Sequence, residues 1–271
     1  MRFSHAAPCL AAAALCATLH ASILPTFHLD PGALQTFETY VAQFERTVAT
    51  PYAESGKMWI DGDACCRHNG AFTSGKPIVE PRENTDIIGG SIHHFSGAIR
   101  IAGGTIADVR HIMQDYSNYP KYFKPDVGMG GGTMNPDSTP TDEHYTSHLT
   151  LVQSTLWIAV SYDCVYDIHY RLFDPHRWAS LSSAARIKEW QDPKDVSKGY
   201  YPEGDDHGFL WRTNTFWFVR ENSGGGVDVE LDSMTLSRPA PTGFGWWANK
   251  RARDAVDKML RDVKAAVEAL H

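Results

Sequence analysis

The chain has 271 residues, of which 42% are hydrophobic and 21% charged, and its formal net charge is -7. This is the composition of a globular protein with enough apolar material for a sizeable core, and it excludes a disordered chain. The negative balance argues against a nucleic-acid partner, which would need clustered Lys and Arg; the longest cationic stretch, residues 250–253, runs straight into Asp254 and Asp257.

The N-terminus reads as an export signal. Arg2 supplies a short cationic start, residues 6–19 form an alanine-rich apolar run, and small residues follow at Ala21 and Ser22. The run is too short to anchor in a bilayer, so cleavage is expected near Ala21, leaving a soluble protein outside the cytoplasm. Of five cysteines, Cys9 and Cys16 leave with the signal. Cys65, Cys66 and Cys164 remain, and the sequence does not choose between a vicinal pair, a bridge to Cys164 and free thiols.

Asp30-Pro31 starts a helix, with Asp as N-cap and Pro at the first helical position. Leu34, Phe37, Val41, Phe44 and Val48 give it one apolar stripe. Residues 50–90 are rich in Gly, Pro and polar groups and read as loop, with a short strand at 57–60. Residues 91–101 alternate as a strand, Gly103-Gly104 breaks it, and Thr105 with Asp108 forms a capping box for a helix carrying Ile106, Val109 and Met113. Pro120 and Pro125 bound a second short helical piece. Strands are expected at 127–134, 144–152, 159–173, 177–189, 209–219 and 227–238. The strand at 159–173 is the clearest, with Val160, Tyr162, Cys164, Tyr166, Ile168, Tyr170 and Leu172 on one face. A long final helix carries a stripe from Ala252 through Val256, Met259, Leu260, Val263 and Val267 to Leu270, with outer pairs Asp254–Lys258 and Asp257–Arg261.

Strand, two short helices, a run of antiparallel strands and a long last helix resembles the helix-grip superfamily of START-like proteins and polyketide cyclases. The segment VRHIMQDYSNYPKYFKPDV, residues 109–127, is similar to the superfamily's stretch around its paired short helices, and includes Tyr119-Pro120. GGSIHHFSGAIRIAGG, GFLWRTNTFWF and MTLSRPAP resemble an exported bacterial branch of the superfamily. The resemblance implies an α+β fold in which a curved antiparallel sheet grips the C-terminal helix around a cavity. The expected organisation is a signal peptide at 1–21, an N-terminal helix and loop extension at 22–88, and the START-like domain at 89–271.

The expected ligand-binding residues are His93, Tyr119, Tyr162, Tyr166, Trp211 and Trp217, whose apolar bodies and polar tips suit a hydrophobic ligand. His93 falls on the apolar face of its strand and His94 on the other. Asp163, Asp167 and His169 share a face read as solvated. His144 and His148 stand some 13 Å apart along a strand, too far to act together. Arg212 and Glu230 read as a cross-strand pair, or as a polar anchor if turned to the cavity. No zinc, P-loop or nucleophile-elbow motif occurs, so no catalytic residue, metal or cofactor is assigned. The expected partner is a lipid or other hydrophobic small molecule, with peripheral membrane contact, and no nucleic acid. The alternative is a cyclase- or hydrolase-type enzyme using His93 as general base. An interface role for the N-terminal helix ranks third.

Overall fold

A computed structural model describes residues 24–154, 159–240 and 245–271; the side chains of residues 63, 65, 66 and 69 lie outside the description. The expected signal peptide, Pro241 and the side chains of Cys65 and Cys66 therefore lie outside the described residues.

Helix α1 (Pro31–Phe44) begins as its sequence predicts, with the Asp30 carboxylate accepting from the Ala33 amide. A single π-turn, Glu45–Ala49, follows and runs into α2 (Thr50–Ser55). Pro51 explains the wide turn, because it has no N–H to donate to the carbonyl four residues back. The stretch read as loop is in fact structured. Trp59–Asp61 is a 3-10 turn rather than a strand, α3 covers Asp63–Thr73, and strand β1 covers Ile78–Ile87.

Seven further strands complete the sheet: β2 (Gly90–Ile101), β3 (Val127–Met134), β4 (Asp142–Ser154), β5 (Ala159–Asp174), β6 (Arg177–Glu189), β7 (Arg212–Glu221) and β8 (Val227–Ser237). Their order is β1-β2-β8-β7-β6-β5-β4-β3, and every neighbouring pair is antiparallel. Because β1 pairs along β2, the boundary expected at residue 88 falls inside a hairpin, and the sheet begins at Ile78. Between β2 and β3 lie α4 (Ile106–Gln114), opened by the Thr105–Asp108 capping box, and α5 (Tyr119–Tyr122). The last helix, α6, spans Gly245–Glu268.

Each face of the sheet has its own core. On one face α6 buries Val256, Leu260, Val263 and Val267 against Phe95, Ile99 and Ile101 of β2. Gly97 lets the helix come this close: a Cβ there would lie 2.7 Å from Leu260 Cδ1 and 2.8 Å from Val256 Cγ1. On the other face the N-terminal helices place Phe37, Phe44 and Tyr52 against Phe216, Phe218, Met234 and Leu236. The Tyr52 hydroxyl donates to the Val219 carbonyl at 2.7 Å, and Arg220 forks onto Asp61 at 2.6 Å on both oxygens, so the extension is docked by bonds as well as by burial.

Two smaller expectations change. Asp257–Arg261 forms, but Lys258 turns to Asp262 and Asp126 instead of Asp254, which pairs with Lys250. Leu270 lies beyond the helix end and is exposed. Cys164 is buried in the sheet core as a free thiol.

Candidate functional site

Between the sheet and α4–α6 lies a cavity of about 500 Å³. It falls within the size range of pockets that enclose one small organic ligand. Its walls are largely aromatic and aliphatic. Tyr116, Tyr119 and Phe123 come from the short helices, Tyr166 and Tyr170 from β5, and Trp217 from β7. Met259 and Ala252 of α6 close the top.

The polar tips of three of these tyrosines are already used. Tyr170 and Tyr119 each donate to the Met113 carbonyl at 2.6 Å, and Tyr116 and Tyr170 share a 2.7 Å hydroxyl contact. They cap the end of α4 and turn their rings to the cavity. Burial raises all three phenols above their ordinary range, so they stay neutral. The glycine run in β3 belongs to the same arrangement. A Cβ on Gly130 or Gly132 would lie 2.2 Å from Tyr116 atoms, so these glycines let β3 pass close beneath the Tyr116 turn.

The cavity floor is different. Ser182 on β6, Thr213 and Thr215 on β7, and Ser233 and Thr235 on β8 line it. Register places them side by side: Ser182 faces Thr215, Thr215 faces Ser233, Thr213 faces Thr235, and Thr235 faces His93. Among the described residues, none of these five hydroxyls has a hydrogen-bond partner, whereas His93 has two: Nδ1 lies 2.8 Å from Asn249 Oδ1 and Nε2 lies 3.1 Å from Ser237 Oγ. Burial lowers the His93 pKa against the opposing effect of Asn249, favouring the neutral ring. The site thus combines apolar walls with a strip of unbonded hydroxyls on one side.

At the mouth, Lys258 joins α6 to the segment before β3 through Asp126 at 3.1 Å. Arg238 lies over the rings of Phe27 and Phe209, at 4.2 and 5.0 Å from their centroids. Trp247 lines the opening and Trp246 beside it is exposed.

No family model matches the sequence, and no curated protein matches it. Three solved structures illustrate what the fold is similar to. A STAR-related lipid transfer protein from Xanthomonas axonopodis is 16% identical with a TM-score of 0.45, over 70% of this chain and 98% of that one. A START superfamily protein from Mycobacterium smegmatis is 11% identical with a TM-score of 0.46, over 66% and 99%. The Zhui aromatase/cyclase from a Streptomyces species is 13% identical with a TM-score of 0.39, over 65% and 94%. At such values the likenesses carry nothing about ligand or activity.

The chain has the α+β helix-grip architecture expected from the sequence, an eight-stranded antiparallel sheet packed against a long C-terminal helix.

Within this helix-grip fold, the residues expected at the site divide. His93, Tyr119, Tyr166 and Trp217 line the cavity together. Tyr162 does not. It is fully buried behind the wall, opposite Glu189 in register, with its hydroxyl lacking a partner among the described residues. Trp211 belongs to the core on the extension side. It precedes the first residue of β7, so the strand's alternation does not apply to it, and its indole N–H donates to Asp206 at 3.1 Å. The Arg212–Glu230 pair does not form. Arg212 binds the Trp211 carbonyl, while Glu230 faces the extension and accepts from the Ile60 amide.

Two buried acid clusters were not anticipated from the sequence. His207 Nδ1 binds Glu189, both fully buried, and the neighbouring Asp206 carboxyl is raised to about 6 by burial. On the extension side His94 bridges Tyr40 and Asp232, next to Glu230, whose carboxyl burial raises to about 8. Neither cluster lines the cavity, and both tie loops or helices to the sheet. Asp228, Glu230 and Asp232, at alternate positions of β8 after Val227, Val229 and Leu231, were the available signal.

Proposed function

We propose that the chain is an exported binding protein for one hydrophobic small molecule or lipid that bears oxygen functions along one side. The unbonded hydroxyl strip in an otherwise apolar cavity supports this reading most. Apolar burial supplies affinity, at about 25 cal/mol per Å² removed from water, and the hydroxyls fix orientation by bonding carbonyl or hydroxyl groups of the ligand. Trp246 and Trp247, with Arg238 and Arg251 nearby, suit a mouth that rests on a lipid headgroup layer, because indole rings partition to such interfaces. The binding reading is favoured over the cyclase or hydrolase alternative because it needs only the apolar walls and the hydroxyl strip, whereas the Ser237 hydroxyl beside His93 Nε2 donates to the Arg238 carbonyl rather than to the ring.

Native mass spectrometry and solvent extraction of the secreted protein should recover one apolar, oxygen-bearing molecule per chain. Titration with fluorescent fatty acids, sterols and quinones should show saturable uptake. Thr215→Val, which removes only the hydroxyl, should weaken it about 2–10-fold, the worth of one hydrogen bond, and His93→Ala should have a modest effect. If no such probe binds and extraction is empty, the carrier reading fails. Loss of turnover in His93→Ala with binding intact would select the enzyme reading. Export is checked by N-terminal sequencing of the secreted fraction, which should begin close to Ser22; an intact Met1 on a membrane-embedded product would refute it.

A further inference from the structure

The sheet face turned away from the cavity carries a second cluster. His144 on β4 stands directly opposite His169 on β5, and Thr146 stands opposite Asp167. Side chains alternate along a strand, so Asp167 and His169 share a face, and the cross-strand partner His144 joins them. The three residues bring one ligand atom each within 4.8 Å of the others.

The surrounding bonds settle which atoms are offered. His144 Nδ1 lies 2.8 and 2.9 Å from the two oxygens of Asp137, and His169 Nδ1 lies 2.9 Å from Asp142 Oδ1. His169 Nε2 is thereby left for a shared centre, and His144 Nε2 lies 2.5 Å from Asp167 Oδ1, a contact whose shared proton an ion would replace. The two rings stack at 4.4 Å with 8° between their planes. A histidine that donates one ring N–H to a carboxylate and offers the other nitrogen is the arrangement metal-ligating histidines adopt, and here it occurs twice.

We propose that His144, Asp167 and His169 bind one divalent transition-metal ion, zinc foremost. Two imidazoles and one carboxylate form a borderline donor set that suits zinc, which takes four ligands and would keep a water in the remaining position. The side chains are 18%, 47% and 31% exposed, so an ion can enter from solvent. Bound there, it joins β4 to β5 and, through Asp137 and Asp142, holds the β3–β4 connection. Alternation along β5 alone puts Asp167 and His169 on a plain solvated face; the register of β4 adds the third ligand.

The test uses tag-free, chelator-treated protein titrated with zinc in competition with a chromophoric chelator. Wild type should saturate at one equivalent and melt at a higher temperature with zinc. His144→Ala and His169→Ala should each weaken binding at least tenfold. Asp142→Asn keeps every ligand and should weaken it about 10–100-fold, as loss of an outer carboxylate does. His148→Ala, about 13 Å along the same strand, should change nothing and controls for adventitious surface histidines. Circular dichroism separates misfolding from lost binding, and Asp167→Asn serves if an alanine variant fails to fold. Absence of one-equivalent saturation in wild type, or unchanged affinity in both His144→Ala and His169→Ala, overturns the site.

Discussion

Leu260→Ala tests the grip of α6 on the sheet most directly. Leu260 is fully buried, and its Cδ1 occupies the space a Cβ on Gly97 would need. Three carbons are removed, and at about 0.8 kcal/mol each the transfer cost is about 2.4 kcal/mol. The unfilled volume under a rigid helix adds to this, giving an expected loss of about 2.5–5 kcal/mol. Met259 is different. It is partly buried and faces the existing cavity, so Met259→Ala leaves no new void in the core and should cost less than about 2 kcal/mol. Gly97→Ala alone should destabilise by about 1–3 kcal/mol through overpacking. Combined with Leu260→Ala it should cost at least about 1 kcal/mol less than the sum of the two, because the new methyl enters the vacated space. Urea unfolding of wild type and these variants, with the slope m constant across them, measures every one of these quantities. A Leu260→Ala loss below about half a kcal/mol, or strict additivity with Gly97→Ala, would show that the helix does not seat on Gly97.

Burial raises the Glu230 carboxyl from its ordinary 4.5 to about 8, so the folded state holds a proton that the unfolded state releases. Its stability contribution is therefore present below about pH 4.5 and lost as pH rises through about 8. Glu230→Gln should flatten that decline and make the protein more stable than wild type at pH 9. The gain should reach up to a few kcal/mol, since each tenfold change in proton affinity is worth about 1.4 kcal/mol; equal pH profiles in urea unfolding would refute it. Tyr52→Phe should cost about 1–2 kcal/mol, because it removes the buried hydroxyl that donates to the Val219 carbonyl, again read from urea unfolding. Trp217→Ala should alter ligand uptake, while Trp211→Ala should mainly lower stability, by about 3–5 kcal/mol; a fluorescence titration beside a thermal melt separates the two. Ser233→Leu should fill the cavity floor and abolish uptake of any bulky probe without lowering the melting temperature by more than a few degrees.

The strands that could be read from the sequence are those with one face clearly apolar. In β5, Val160 to Tyr170 alternates without interruption, and the structure keeps that face buried throughout. The caps at Asp30 and Thr105 were equally plain, because their side chains act on amides three residues away. β1 was hidden for a physical reason. It is an edge strand, mostly polar, and it contains Pro81, which a sheet tolerates only at an edge or a bulge; the register shifts between Pro81 and Glu83. Trp211 was misplaced because alternation was extended past the first residue of β7. The metal-ligand set was missed because His144 is distant from Asp167 and His169 in sequence, and only strand pairing brings them together.

The cavity has a compositional origin that spans three central strands. On the extension side, β7 and β8 present Phe216, Phe218, Met234 and Leu236, which fill the space beneath α1 and α2. On the other side the alternating positions are Thr213, Thr215, Ser233 and Thr235, with Ser182 beside them on β6. Read one strand at a time, alternating Ser and Thr looks like a wet surface. Yet α6 lies above this face, and its inner stripe seats on β2 at Gly97, near one edge of the sheet. The helix is therefore held close where the strand has no side chain, while small hydroxyl residues leave room beyond it. Larger apolar residues at these positions would have closed the gap, as they do on the opposite face. The same five residues that make the volume also supply its unbonded hydroxyls, so the size of the cavity and the proposed preference for an oxygen-bearing apolar ligand follow from one choice of side chains.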